Sequence, residues 1–306
     1  MLTLGDVDRP VFPRSAVKPL QALPLVESGA ADSYGLGAEE LALACASHSG
    51  EPGHVAVASR MLALAGLDES ALRCGAHWPI HQPSVHALVR SGGVARAIHN
   101  NCSGKHAGFL CVACALGADR EHYLQPAHPV QRAVKEVLEA LGETVLSADV
   151  CATDGCSAPT WAMPLRALAL AFARFGCGAN MTAERARAAA RLRAACCAHP
   201  WHVAGTGRFC TTVMQAFGER VLVKTGAEGV YAAALPQLGF GVAVKCDDGS
   251  GRAAEVMLAT TLDLLLNNDA DSDALRSLVK PTLRNWNGLV VGGLRPAEAL
   301  SRALDV

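Results

Sequence analysis

Through much of the first two thirds of the chain, apolar residues recur three and four positions apart. This spacing is clear in L-G-A-E-E-L-A-L-A-C-A (36–46), P-V-Q-R-A-V-K-E-V-L-E-A-L-G (129–142) and T-A-E-R-A-R-A-A-A-R-L-R-A-A (182–195), and it predicts amphipathic helices. A helical subregion is therefore expected over about 36–216. Beyond it the pattern shortens. R-V-L-V-K-T-G (220–226), G-V-Y-A-A-A-L-P (229–236) and G-F-G-V-A-V-K-C (239–246) are brief apolar runs divided by Gly and Pro, which read as consecutive antiparallel strands. The turn D-D-G-S-G-R (247–252) then leads into A-A-E-V-M-L-A-T-T-L-D-L-L-L (253–266), a helix expected to close the fold. A sheet-rich part over about 217–266 behind a helical cluster is an α+β arrangement. With no repeat, low-complexity tract or clean linker, residues 1–306 are expected to form one catalytic domain.

Composition narrows the function classes. Lys and Arg number 27 against 28 Asp and Glu, a formal net charge of -1, so no basic footprint exists for gripping nucleic acid or an acidic membrane surface. Apolar residues make up 51% and charged residues 18%, the balance of a folded, core-rich chain. No basic segment followed by an apolar one opens the sequence, and no membrane-length apolar run occurs, so a cytoplasmic location is expected. The 12 cysteines should then be thiols, buried as small hydrophobes or held for chemistry. No G-x-G-x-x-G follows a strand and no Walker-type loop is present, which leaves the chemistry to side chains.

Four constellations carry candidate chemistry. In P-R-S-A-V-K-P-L (13–20), Ser15 and Lys18 share one face of a helix start. A neutral Lys18 could deprotonate the hydroxyl, at a cost of about 4.6 kcal/mol for lowering the amine pKa to ~7. A second nearby cation would help, and Lys224 in K-T-G (224–226) is a candidate. Lys-Thr-Gly facing S-x-x-K is the arrangement of penicillin-recognising serine hydrolases. C-A-S-H-S-G-E-P-G-H (45–54) offers Ser47, His48 and His54 where the chain leaves a helix. N-N-C-S-G-K-H-A-G (100–108) and T-D-G-C-S (153–157) bring Cys102, Lys105 and Cys156, two thiols and an amine that could hold a metal. Each segment alone also reads as an ordinary helix start, strand end or polar turn. Cys111, Cys114, Cys196 and Cys197 read as structural, and His77, His81 and His86 as loop and surface residues.

Taken in order, P-R-S-A-V-K-P-L-Q, C-A-S-H-S-G-E-P, N-N-C-S-G-K-H-A-G, A-T-D-G-C-S-A-P and V-K-T-G-A-E-G resemble the zinc-containing L-asparaginases of the Rhizobium etli type, the asparaginase II family. The resemblance implies a serine β-lactamase or glutaminase type of fold and a homodimer that hydrolyses L-asparagine to aspartate and ammonia. It implies two Ser-Lys tandems, Ser15 with Lys18 and Ser47 with Lys224, and Zn²⁺ held by Cys102, Lys105 and Cys156, with Asp154 orienting a zinc-bound water. Two thiolates formally neutralise the ion, which favours orienting the substrate over activating water. Proteins of this type carry roughly thirty further residues ahead of G-D-V-D-R-P, so either the start codon is misassigned or the sheet lacks an edge, and in the second case the chain is expected to be less stable than one extended upstream. A penicillin-type acyl hydrolase, or a non-catalytic zinc or thiol sensor built on Cys102 and Cys156, are the alternative readings.

Overall fold

The structure is a computed structural model that describes residues 2–266 and 273–304. Strand β1 (Pro10–Val11) leads into a 3-10 turn over Arg14–Val17, followed by α1 (Lys18–Gln21), α2 (Leu23–Glu27), α3 (Ala30–Ser33) and α4 (Ala38–Ala44). Then come α5 (Pro52–Leu64), α6 (Gln82–Arg90), α7 (Ser103–Ala115) and α8 (Pro129–Gly142). Three short strands, β2 (Cys151–Thr153), β3 (Pro159–Trp161) and β4 (Met163–Pro164), precede α9 (Leu165–Cys177), α10 (Ala183–Ala198), α11 (Pro200–Ala204) and α12 (Phe209–Phe217). The main sheet is β5 (Leu222–Thr225), β6 (Val230–Leu235) and β7 (Phe240–Lys245), antiparallel in that order. After α13 (Gly251–Leu265) the chain continues through α14 (Asp273–Val279), the hairpin β8 (Thr282–Arg284) and β9 (Val290–Gly293), and α15 (Glu298–Leu304).

This is an α+β protein, with helices and small antiparallel sheets. Its helices form where the apolar spacing lies. In α8 the buried side chains are Val130, Val134, Val137, Leu138 and Leu141, a stripe that removes one face from water at about 1.5–3 kcal/mol per side chain. Proline at the start of α8 costs no hydrogen bond, and His128 accepts the amide of Val130. Thr182 and Ser250 cap α10 and α13.

Two expectations need correcting. The helical subregion is interrupted by β2, β3 and β4, two or three residues each, too short to leave a period of two in the sequence. The helix over 251–265 does not close the fold, because a helix, a hairpin and another helix follow it. The hairpin turn carries Asn287-Gly288 between apolar runs, a recognised hairpin signal.

Within the main sheet, β6 is buried along its whole length and packs against α9, α13 and the Arg14–Val17 turn. Helix α9 crosses β7 so closely that a Cβ on Gly241 would stand 1.9 Å from the Ala169 carbonyl oxygen. Gly226, at the end of β5, plays the same part toward the other side: a Cβ there would lie 2.5 Å from the Pro13 carbonyl oxygen. That close approach brings the late strand β5 against the turn that carries Ser15.

Candidate active site

Four segments converge with the Arg14–Val17 turn and the start of α1. Lys18 opens α1 and is 1% exposed, and Lys224 on β5 is equally buried. The Ser47 loop leaves α4 and is fastened by backbone bonds from Ser47 N–H to Val203 O (2.9 Å) and from His48 N–H to Asn101 O (3.2 Å). Asn100 shapes the next segment. Its amide donates to Cys74 O at 2.9 Å, while its Oδ1 accepts the Cys102 N–H at 2.9 Å, which sets Cys102 just ahead of α7. The fourth segment is the tight turn 154–158, where Asp154 N–H bonds Ala158 O at 2.9 Å and Ser157 takes φ 69°.

Both lysines reach one hydroxyl. Lys18 Nζ donates to Ser47 Oγ at 2.9 Å, and Lys224 Nζ lies 2.7 Å from the same oxygen. Lys18 also donates to Cys102 Sγ at 3.1 Å, and Lys224 to Thr225 O at 2.9 Å. Burial, reinforced by the charge of Lys18, lowers the Lys224 amine to about 7, the range in which an amine can take a proton from a hydroxyl.

Beside this lies a thiol pair. The two thiols act on each other: Cys156, with burial, raises the Cys102 pKa, and Cys102, with Lys105, lowers that of Cys156. Lys105 Nζ donates to Cys156 Sγ at 3.0 Å. Burial opposes the charge on Lys105, yet Cys156 and Cys102 outweigh it and push the amine up to about 12. A lysine binds a metal ion through its neutral lone pair, so Lys105 would become a ligand by giving up a proton. Among the described residues, no three His, Cys, Asp or Glu side chains form a metal-holding group; the set here is two thiols and a lysine.

Asp154 is mostly buried and ion-paired to Arg14, with Oδ2 3.7 Å from Cys156 Sγ. Arg14 also pairs with Glu228. Its backbone has φ 52°, a left-handed conformation that costs an arginine on the order of 1 kcal/mol or more and sits directly before Ser15. The sequence reading passed over Arg14 and Glu228, although both lie inside its quoted motifs.

Of the predicted site residues, Lys18, Ser47 and Lys224 meet through hydrogen bonds, as do Lys105 and Cys156, and Cys102 joins the two groups. Ser15 is half-buried; among the described residues its hydroxyl makes no hydrogen bond, and Lys18 turns to Ser47 and Cys102 instead. Cys111, Cys196 and Cys197 are core residues, and His77 and His86 are exposed.

The sequence profile of L-asparaginase II matches residues 1–296. The chain belongs to the L-asparaginase II family. No curated protein matches it. The profile spans all of the site segments, and family membership points to hydrolysis of an amide bond. No helix among the described residues is long and apolar enough to cross a membrane.

Proposed function

We propose that this chain is an L-asparagine amidohydrolase of the zinc-containing Rhizobium etli type, with the serine β-lactamase kind of fold. One observation carries the mechanism: a single buried hydroxyl, Ser47, lies between the amines of Lys18 and Lys224. Such a hydroxyl can hand a proton from one amine to the other. Ser15, with its unengaged hydroxyl at the start of the helical segment that carries Lys18, is the nucleophile on the side-chain carboxamide. Ser15 gives its proton to Lys18 as Lys18 passes one through Ser47 to the neutral Lys224; the proton returns along the same relay to the departing ammonia, and water releases aspartate from the acyl ester. The Ser15 and Gly226 amides are the oxyanion donors. Asp154 takes the substrate ammonium, its orientation held by Arg14.

The residues fit a zinc ion by the chemistry of their donors: two buried thiols and a buried amine, linked by hydrogen bonds. Cys102, Lys105 and Cys156 would hold it, and it would supply a weak Lewis acid that orients the substrate. The reading also takes residues 1–306 as one catalytic domain that acts in the cytoplasm as a homodimer, a state that light scattering on the purified chain reports.

Ammonia release from asparagine and glutamine tests the activity. Intact-mass trapping of an acyl adduct in Ser15→Ala and Ser47→Ala tests the roles. An adduct in Ser47→Ala and none in Ser15→Ala is expected, and the reverse would exchange the two serines.

A further inference from the structure

His106 follows Lys105 on α7, is fully buried, and has no part in the mechanism above. Its ring is tied to the backbone through Tyr123. The Tyr123 oxygen accepts the Arg73 amide N–H at 3.0 Å, and an amide N–H can only donate. Burial pushes the Tyr123 phenol well above its usual pKa, so it keeps its proton. Among the described residues, the 2.6 Å contact to His106 Nδ1 is the one place where that proton can be donated. Nδ1 is therefore the acceptor, and in a neutral imidazole the hydrogen must sit on Nε2. With Nδ1 accepting, the ring carries a single hydrogen and is neutral, and the Cys156 sulfur is among its near neighbours. Nε2 is buried without a partner among the described residues. An N–H left in that state is costly, which calls for a ligand state that uses it.

The Cys156 sulfur supplies one. Its present N–H donor is Lys105, and an amine that turns its lone pair to a metal ion no longer donates along that line. We propose that His106 is a positioning residue whose Nε2–H, fixed in that tautomer by Tyr123, becomes the hydrogen-bond donor to the Cys156 thiolate when Lys105 is recruited as a metal ligand. The inference rests on the zinc reading above. It assigns the Arg73 amide, Tyr123 and His106 to one chain that ends on a ligand sulfur, the kind of outer contact that orients a ligand and raises metal affinity.

Competition between the full-length, metal-stripped chain and a chromophoric chelator for zinc tests it, with the thiolate-to-cobalt charge-transfer band of the Co²⁺ form as a second readout. His106→Leu should bind zinc about 10–100-fold more weakly and shift the cobalt band. His106→Gln, which keeps an N–H donor, should recover most of both, and Tyr123→Phe should fall between. Equal affinity and an unshifted band in His106→Leu would overturn the inference and leave the zinc reading standing. Equal losses in the Leu and Gln variants would show a packing role and overturn it too. No zinc binding by the unaltered chain would remove both. Should His106→Leu fail to fold, unchanged affinity in Tyr123→Phe is the overturning result.

Discussion

Lys224 and Ser47 stand 177 positions apart in the chain and 2.7 Å apart in space. Because Lys18 holds the same oxygen, the hydroxyl cannot serve both amines alike: it has one proton to give and two lone pairs to receive with. Lys224 is the amine that burial and the neighbouring cation lower to about 7, so in the proposed relay a proton crossing Ser47 runs toward it.

The pH profile follows from that direction. Lys224 acts as an acceptor only when neutral, and with its amine at about 7 kcat/KM for asparagine should climb as pH rises through about 7 with the slope of one proton. Lys224→Met should lose about 10²–10⁴-fold in kcat/KM and the rising limb with it. A retained limb in that variant would assign the titration elsewhere.

The same amine costs stability. Its folded pKa of about 7 lies below an unfolded value of ~10.4, so between those limits the unfolded chain binds more protons and stability rises with pH. Below about 7 the folded state carries the full burden of a buried ammonium, on the order of a few kcal/mol. Lys224→Met should thus melt above the unaltered protein at pH 6, with the gap closing toward pH 10. Melting curves across that interval check the sign.

Gly226 is where the last strand of the site meets the first turn. Gly226→Ala would place a Cβ 2.5 Å from the Pro13 carbonyl oxygen and push β5 away from Ser15. A displacement near 1 Å costs about 10²-fold in rate, so kcat should fall further than the melting temperature would suggest. Gly251→Ala, where a Cβ meets nothing within 4 Å, is the matching control and should leave both unchanged or slightly raise stability.

Metal removal separates orientation from activation. Stripping zinc with a chelator should raise KM for asparagine more than it lowers kcat, and adding zinc back should restore it. Loss of turnover at saturating substrate with binding intact would show that the ion activates rather than orients.

Much of the frame was legible beforehand. Helices α8, α10 and α13 follow the apolar spacing, and β5, β6 and β7 follow the Gly and Pro punctuation, to within a few residues. Strands β2 to β4 were not, because two or three residues hold no period. The site divides in the same way. The residue types in S-x-x-K, C-A-S-H-S and K-T-G suggested hydroxyl and amine chemistry, but that both amines meet at Ser47 depends on contacts between distant segments. The charge on Lys105 depends on Cys156, 51 positions away, and the His106 tautomer depends on Tyr123; neither is written in local spacing. Arg14 looked like one more basic residue until its backbone and its two carboxylate partners were placed.

The strand that delivers Lys224 is made 206 residues after Lys18 and 177 after Ser47. A chain arrested between Cys156 and the K-T-G segment would hold both serines, both thiols and the early lysine but not the second amine of the proposed relay. A truncated product that stops short of that strand would keep the proposed nucleophile but lack the amine that draws its proton away.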